Sequence, residues 1–153
     1  MKSTHFFPMR KTQIFLLLAM LLFVRNAEAN SPRIVDLKTP DGTVLKGTYF
    51  PAAKPGPGVL LFHQSNRTRK SWEDIAHQLV AVGINALTVD TDPNKTRKPR
   101  WPGDLDAAFE FLASQSGVNR DAIGIGGAGV IGVENSVETA RRYYQHEAFL
   151  SNG

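Results

Sequence analysis

The 153-residue sequence contains no cysteine. Disulfides, thiolate zinc sites and thiol nucleophiles are therefore excluded, whichever compartment the chain occupies. Long apolar runs are absent as well. The longest, Ile14–Val24, has eleven residues, whereas a membrane-spanning helix needs about 20. There is no internal repeat and no low-complexity tract. An excess of positive charge is also missing from most of the chain. Overall 18 Lys and Arg stand against 14 Asp and Glu, but Lys2, Arg10, Lys11 and Arg25 lie in the first 29 residues with only Glu28 to oppose them. The remainder carries 14 bases and 13 acids, a net charge of +1. The high pI of about 9.6 is thus largely an N-terminal effect, and it argues for no nucleic-acid partner.

That N-terminus has its own pattern. Lys2, Arg10 and Lys11 precede the apolar run Ile14–Val24, and Ala27-Glu28-Ala29 comes after it with the small-x-small spacing of a cleavage site. The arrangement predicts a signal peptide over residues 1–29, with an uncleaved anchor as the alternative. No cysteine follows the run, so a lipid-anchored precursor is excluded. The expected mature chain, 30–153, is secreted or periplasmic and keeps no stable membrane anchor. It is long enough for one domain with a real core.

Within it, Ile34–Leu37 and Val44–Phe50 are short β-rich runs separated by Pro40-Asp41-Gly42, which predicts an antiparallel hairpin. Gly58–Phe62 is continuously apolar, as a strand buried on both faces should be. Ser71 then reads as an N-cap with Asp74 three residues on. Trp72, Ile75, Leu79 and Val82 recur with helical spacing, and Gly83 ends that helix. A strand Ile84–Val89 comes next, then a Pro-rich polar segment, 90–102. Its basic cluster, Lys95, Arg97, Lys98 and Arg100, is either an anion site or, more plainly, a solvated loop. A helix over Asp104–Ser114 buries Leu105, Ala108, Phe109 and Leu112. After a strand at Ile123–Gly126 comes a helix over Val133–Tyr144 with Val133, Val137 and Ala140 inward, and Ala148-Phe149-Leu150 begins another strand. Alternating strands and helices with short links imply right-handed crossovers and a mostly parallel sheet. The expected class is α/β.

Chemistry is sought at the carboxyl ends of the parallel strands. His63 and Gln64 follow one apolar strand. His63 is either a base or, more plainly, a structural residue that ties its loop down through ring hydrogen bonds. The Gln64 backbone N–H is an oxyanion-donor candidate, a role that requires no particular side chain. At the other strand end, Gly127-Ala128-Gly129-Val130-Ile131-Gly132 has the layout of a strand–turn–helix nucleophile elbow of form G-x-S-x-G, but no Ser, Cys or Asp stands at its apex.

The order of these pieces resembles the N-terminal half of the α/β-hydrolase superfamily, dienelactone-hydrolase-like proteins in particular. The resemblance rests on Leu60–Gln64 with Ser71-Trp72, on Trp101–Ala108 with Phe111-Leu112, and on Ile123–Ala128 with Ala140–Arg142. It implies a mostly parallel sheet flanked by helices behind an N-terminal antiparallel hairpin. It also implies hydrolysis of a small-molecule ester or lactone through an acyl-enzyme, with no cofactor and no metal. His63, Gln64 and Val130 map onto the family's oxyanion hole, and Gly129 with Val130 onto its elbow. The family pattern can be laid with Gly129 at the serine, or with one inserted residue so that Gly132 is the closing glycine. Neither supplies a nucleophile. The family's acid and histidine come after later strands, so a truncated, catalytically impaired hydrolase-like domain is expected. The alternatives are a non-catalytic binding remnant and a dinucleotide-binding module. The latter is suggested by Gly124-x-Gly126-x-x-Gly129, although Glu147, the acid at the required distance, precedes its expected strand.

Overall fold

Arg33–Lys38 (β1) and Val44–Phe50 (β2) form the hairpin, in register from Arg33 opposite Tyr49 to Lys38 opposite Val44. Asp41 organises the turn. Its carboxylate accepts from the Thr39 hydroxyl at 2.6 Å and from the Thr43 N–H at 3.0 Å, while Gly42 takes the left-handed conformation, φ +85°, that glycine adopts without steric cost. The computed structural model describes residues 30–90 and 102–150. The expected signal segment and the basic cluster at Lys95, Arg97, Lys98 and Arg100 lie outside the described residues. Pro32–Gly153 form one compact unit.

Three further strands, Gly56–Phe62 (β3), Asn85–Val89 (β4) and Val118–Gly127 (β5), complete a sheet of order β1-β2-β4-β3-β5. β2 pairs antiparallel with β4, and β3 pairs parallel with both β4 and β5. All five residues of β4 are buried, polar Asn85 and Thr88 included, as its central place in the sheet requires. The helices are Glu73–Ala81 (α1), preceded by a 3-10 turn at Arg69–Trp72, then Pro102–Ala113 (α2) and Gly129–Leu150 (α3). On one face, Leu60, Phe62, Leu87 and Val89 pack with Leu37, Leu45, Tyr49 and Ile123 against Leu105, Ala108, Phe109 and Leu112 of α2. α3 joins this face through Tyr143, stacked on Phe109 with ring centroids 3.6 Å apart. The Asp106 carboxylate locks the two helices, accepting from Arg142 Nε at 2.9 Å and the Tyr143 hydroxyl at 3.1 Å. On the opposite face, Phe50 and Ala86 pack against Ala76 of α1.

Four expectations are corrected. Ser71 does not cap α1. Its hydroxyl donates to the Thr68 carbonyl at 2.8 Å within the 3-10 turn, and Trp72 takes the cap position without a side-chain bond. α1 therefore starts one residue later than a Ser71 cap implies, and its buried face is Ala76, Leu79 and Val80, leaving Ile75 and Val82 exposed. In α3, Val133 and Val137 point to solvent while Asn135 and Thr139 are buried. The helix lies close to the β3 end and offers the sheet small and polar residues. Finally, Ala148–Leu150 continue α3 instead of starting a strand.

Candidate functional site

Because β3 and β5 are adjacent and parallel, their carboxyl ends emerge together, with Phe62 beside Gly127. The Ala128 N–H donates to the Phe62 carbonyl at 3.1 Å, so the turn leaving β5 is fastened to the end of β3. Gly129, the first residue of α3, has φ +66°. This is the sharp apex of the strand–turn–helix, and it falls at position 129. The close approach of helix to strand is made three residues later. A Cβ on Gly132 would lie 2.7 Å from the Phe62 carbonyl oxygen and 3.0 Å from that of His63. The apex at Gly129 and the closing glycine at Gly132 thus correspond to the spacing with one inserted residue. Ile131, half-buried, is not the residue at the tight contact.

The apex faces Gln64. A Cβ on Gly129 would lie 2.8 Å from Gln64 Cβ, 3.2 Å from its Cγ and 3.5 Å from its Cδ. The space that a nucleophilic side chain would enter is taken by the stem of Gln64, whose carboxamide donates to Asn66 Oδ1 at 2.7 Å. These two positions, far apart in the chain, come into van der Waals reach only because one of them lacks a side chain. Val130, in the first turn of α3, carries one of the N–H groups for which a helix has no internal acceptor. Ser136 offers no substitute nucleophile, since its hydroxyl donates to the Val133 carbonyl at 2.8 Å.

His63 is 4% exposed. Its Nδ1 lies 2.7 Å from the Gln64 carbonyl oxygen, which can only accept, so Nδ1 carries the proton in this contact. Nε2 faces Asp90 Oδ1 at 3.9 Å. Asp90, directly after β4, also accepts the Arg69 N–H at 2.7 Å and pairs with the Arg69 guanidinium, which donates through Nε to the Thr48 hydroxyl at 3.0 Å. This ion pair clamps the segment after β3 to β2 and to the end of β4. Sequence reasoning missed Arg69 and Asp90, which sit in polar stretches that any solvated loop would share. His63, Gln64, Gly129 and Val130 are therefore gathered at one end of the sheet. Among the described residues, no group of three or more His, Asp or Glu is placed to hold a metal ion, and no helix is long and apolar enough to cross a membrane.

The dinucleotide-binding pattern does not survive this geometry. Gly124 and Gly126 are paired inside β5 with Val59 and Leu61, whereas the fingerprint needs its glycines in the turn against the pyrophosphate. Glu147 lies within α3 and not at a strand end.

No family model matches the chain, and no curated protein does. Solved structures do. A dienelactone hydrolase-like promiscuous phosphotriesterase from metagenomic libraries is 22% identical, with a TM-score of 0.62 over 73% of this chain and 54% of its own. The hyperthermophilic esterase of the archaeon Pyrobaculum calidifontis is 16% identical, with a TM-score of 0.64 over 85% of this chain and 45% of its own. The dienelactone hydrolase of Anabaena variabilis is 20% identical, with a TM-score of 0.52 over 75% and 59%. The fold is that of the α/β-hydrolases. This chain spans about half the length of these three structures, and at such identities the likeness is one of fold.

Proposed function

We propose that this chain is an exported protein of the ester- or lactone-hydrolase type whose elbow is disarmed, so that it does not turn over esters as it stands. The observation that carries the reading is the Gly129 apex, left-handed and packed without a side chain against Gln64. Acyl transfer to water through an acyl-enzyme needs a nucleophile with an adjacent base. Loss of the nucleophile from a triad enzyme costs on the order of a million-fold in turnover, even where oxyanion donors such as the N–H groups of Gln64 and Val130 are kept. Export is supported by the charged, apolar and small-x-small segments of residues 1–29. A small-molecule ester or lactone is the ligand class the likeness favours.

The test is hydrolysis of a short-chain aryl ester and a simple lactone by the purified chain. The expected rate equals that of a heat-denatured control. Turnover clearly above it, retained through repeated purification, contradicts the proposal.

A further inference from the structure

α3 is amphipathic in the inverted sense. Its sheet-facing residues include Asn135 and Thr139, 3% and 0% exposed, while Val130, Val133 and Val137 are 74%, 48% and 53% exposed. At 3.6 residues per turn the three valines fall within a stripe about 60° wide, pointing away from the sheet. A helix that ends its packing at the sheet carries polar residues on that outer face. Isolated exposed apolar residues are ordinary, but a contiguous row on one helix marks a surface that something covers.

The charges beside the row indicate what covers it. Glu134 and Arg141 flank Val137 on the same side of the stripe, about 60° and 40° from its direction, and about 4.5 Å and 6 Å from it along the axis in opposite senses. Seven residues apart, they are too distant to pair with each other. Arg141 is exposed and makes no ion pair among the described residues, in contrast to Arg142 and Arg120, which are held by Asp106 and Glu110. A two-fold axis at Val137, perpendicular to the plane of two packed antiparallel helices, reverses axial order and keeps the flank. It brings Arg141 of a second copy to within about 1.5 Å, along the axis, of the level of Glu134, and by symmetry does so twice. Parallel packing sends the two charges to opposite flanks.

We infer that α3 is the contact helix of a homodimer, packed antiparallel on α3 of a second copy around Val137, with Glu134 of each copy facing Arg141 of the other. Such an isologous contact is the commonest oligomer geometry, and it buries the valine stripe of both chains.

Sedimentation equilibrium of the purified chain over a wide concentration range tests this, with circular dichroism to verify that each variant folds. The expected result is a monomer–dimer equilibrium. Val137→Glu, at a half-exposed position, yields monomer. Glu134→Arg and Arg141→Glu each weaken the dimer about tenfold, since each replaces two rim attractions by repulsions. The double charge swap E134R/R141E restores affinity to within about threefold of the parent, as reciprocal coupling requires. A chain that stays monomeric throughout, forms larger aggregates in place of a dimer, or dimerises with indifference to these substitutions overturns the inference. So does a double swap no tighter than the singles, which leaves the interface testable even if Val137→Glu misfolds.

Discussion

Gly129 and Gln64 behave as a matched pair. A β-carbon at 129 meets both a left-handed backbone and Gln64 Cβ at 2.8 Å. Gly129→Ser is therefore expected to lose about 2 kcal/mol of stability, from positive-φ strain and overpacking together. Adding Gln64→Gly should recover about 1 kcal/mol of that loss, a coupling read by urea unfolding in a double-mutant cycle. Additive losses would show that the two positions do not touch. The restored serine should also stay unreactive. His63, the nearest histidine in sequence to Gln64, has its ring engaged by the Gln64 carbonyl on one side and faces Asp90 on the other. Asn85 governs the opposite end of the sheet. Fully buried, it accepts from the Tyr49 hydroxyl at 3.0 Å and the Ala52 N–H at 2.9 Å, and donates to the carbonyls of Pro57 at 3.2 Å and Gly117 at 2.9 Å. Its whole hydrogen-bonding capacity is used. Asn85→Leu orphans the Tyr49 hydroxyl and the Ala52 N–H at once, and a loss of about 3 kcal/mol in denaturant unfolding is expected. A loss below about 1 kcal/mol would mean that water replaces the amide.

At the scale of the elements, the sequence was legible where a local rule governs. The Pro-Asp-Gly turn, the apolar β3 run and the 3.6-residue spacing of Leu105, Ala108, Phe109 and Leu112 all appear as expected, because each is set by neighbours in the chain. α1 was misread at its start because a 3-10 turn and an α-helix share the same opening residues. The buried face of α3 was misread because its sheet-facing side must be small for the Gly132 approach, so hydrophobicity ceased to report burial. Asn85 left no signal, since a single amide in an apolar strand resembles an edge residue. The meeting of His63 and Gln64 with Gly129 was accessible only through resemblance to a family, because no local pattern joins residues so far apart. The α2–α3 contact carries a pH prediction. Burial and the nearby Asp106 carboxylate raise the Tyr143 hydroxyl well above its ordinary value of 10.0, and burial raises that of Tyr49. A raised folded-state value means the native state keeps protons that the unfolded chain releases, so stability is whole below about pH 10 and falls as pH rises beyond it. Melting temperature should therefore drop steeply above about pH 10, and Tyr143→Phe should flatten that slope. An unchanged slope would show that Tyr143 is not the group responsible.

The molecule as a whole is proposed to be exported and to keep a hydrolase-like architecture without its reacting group. Export predicts that secreted or periplasmic material begins at about Asn30, after the Ala27-Glu28-Ala29 site. N-terminal sequencing that starts elsewhere, or retention of the whole chain in the cytoplasm, counts against it. The sheet order, the hairpin and the elbow beside the end of β3 make the protein recognisable as an α/β-hydrolase fold, while the apex residue departs from what that fold uses for catalysis. Intact-mass measurement of the purified chain after incubation with a fluorophosphonate tests this departure most directly, because an activated serine is phosphonylated whatever its natural substrate. An unchanged mass is the predicted result. A stoichiometric adduct, formed at a rate typical of an active serine hydrolase and mapped to any serine of this chain, would contradict it.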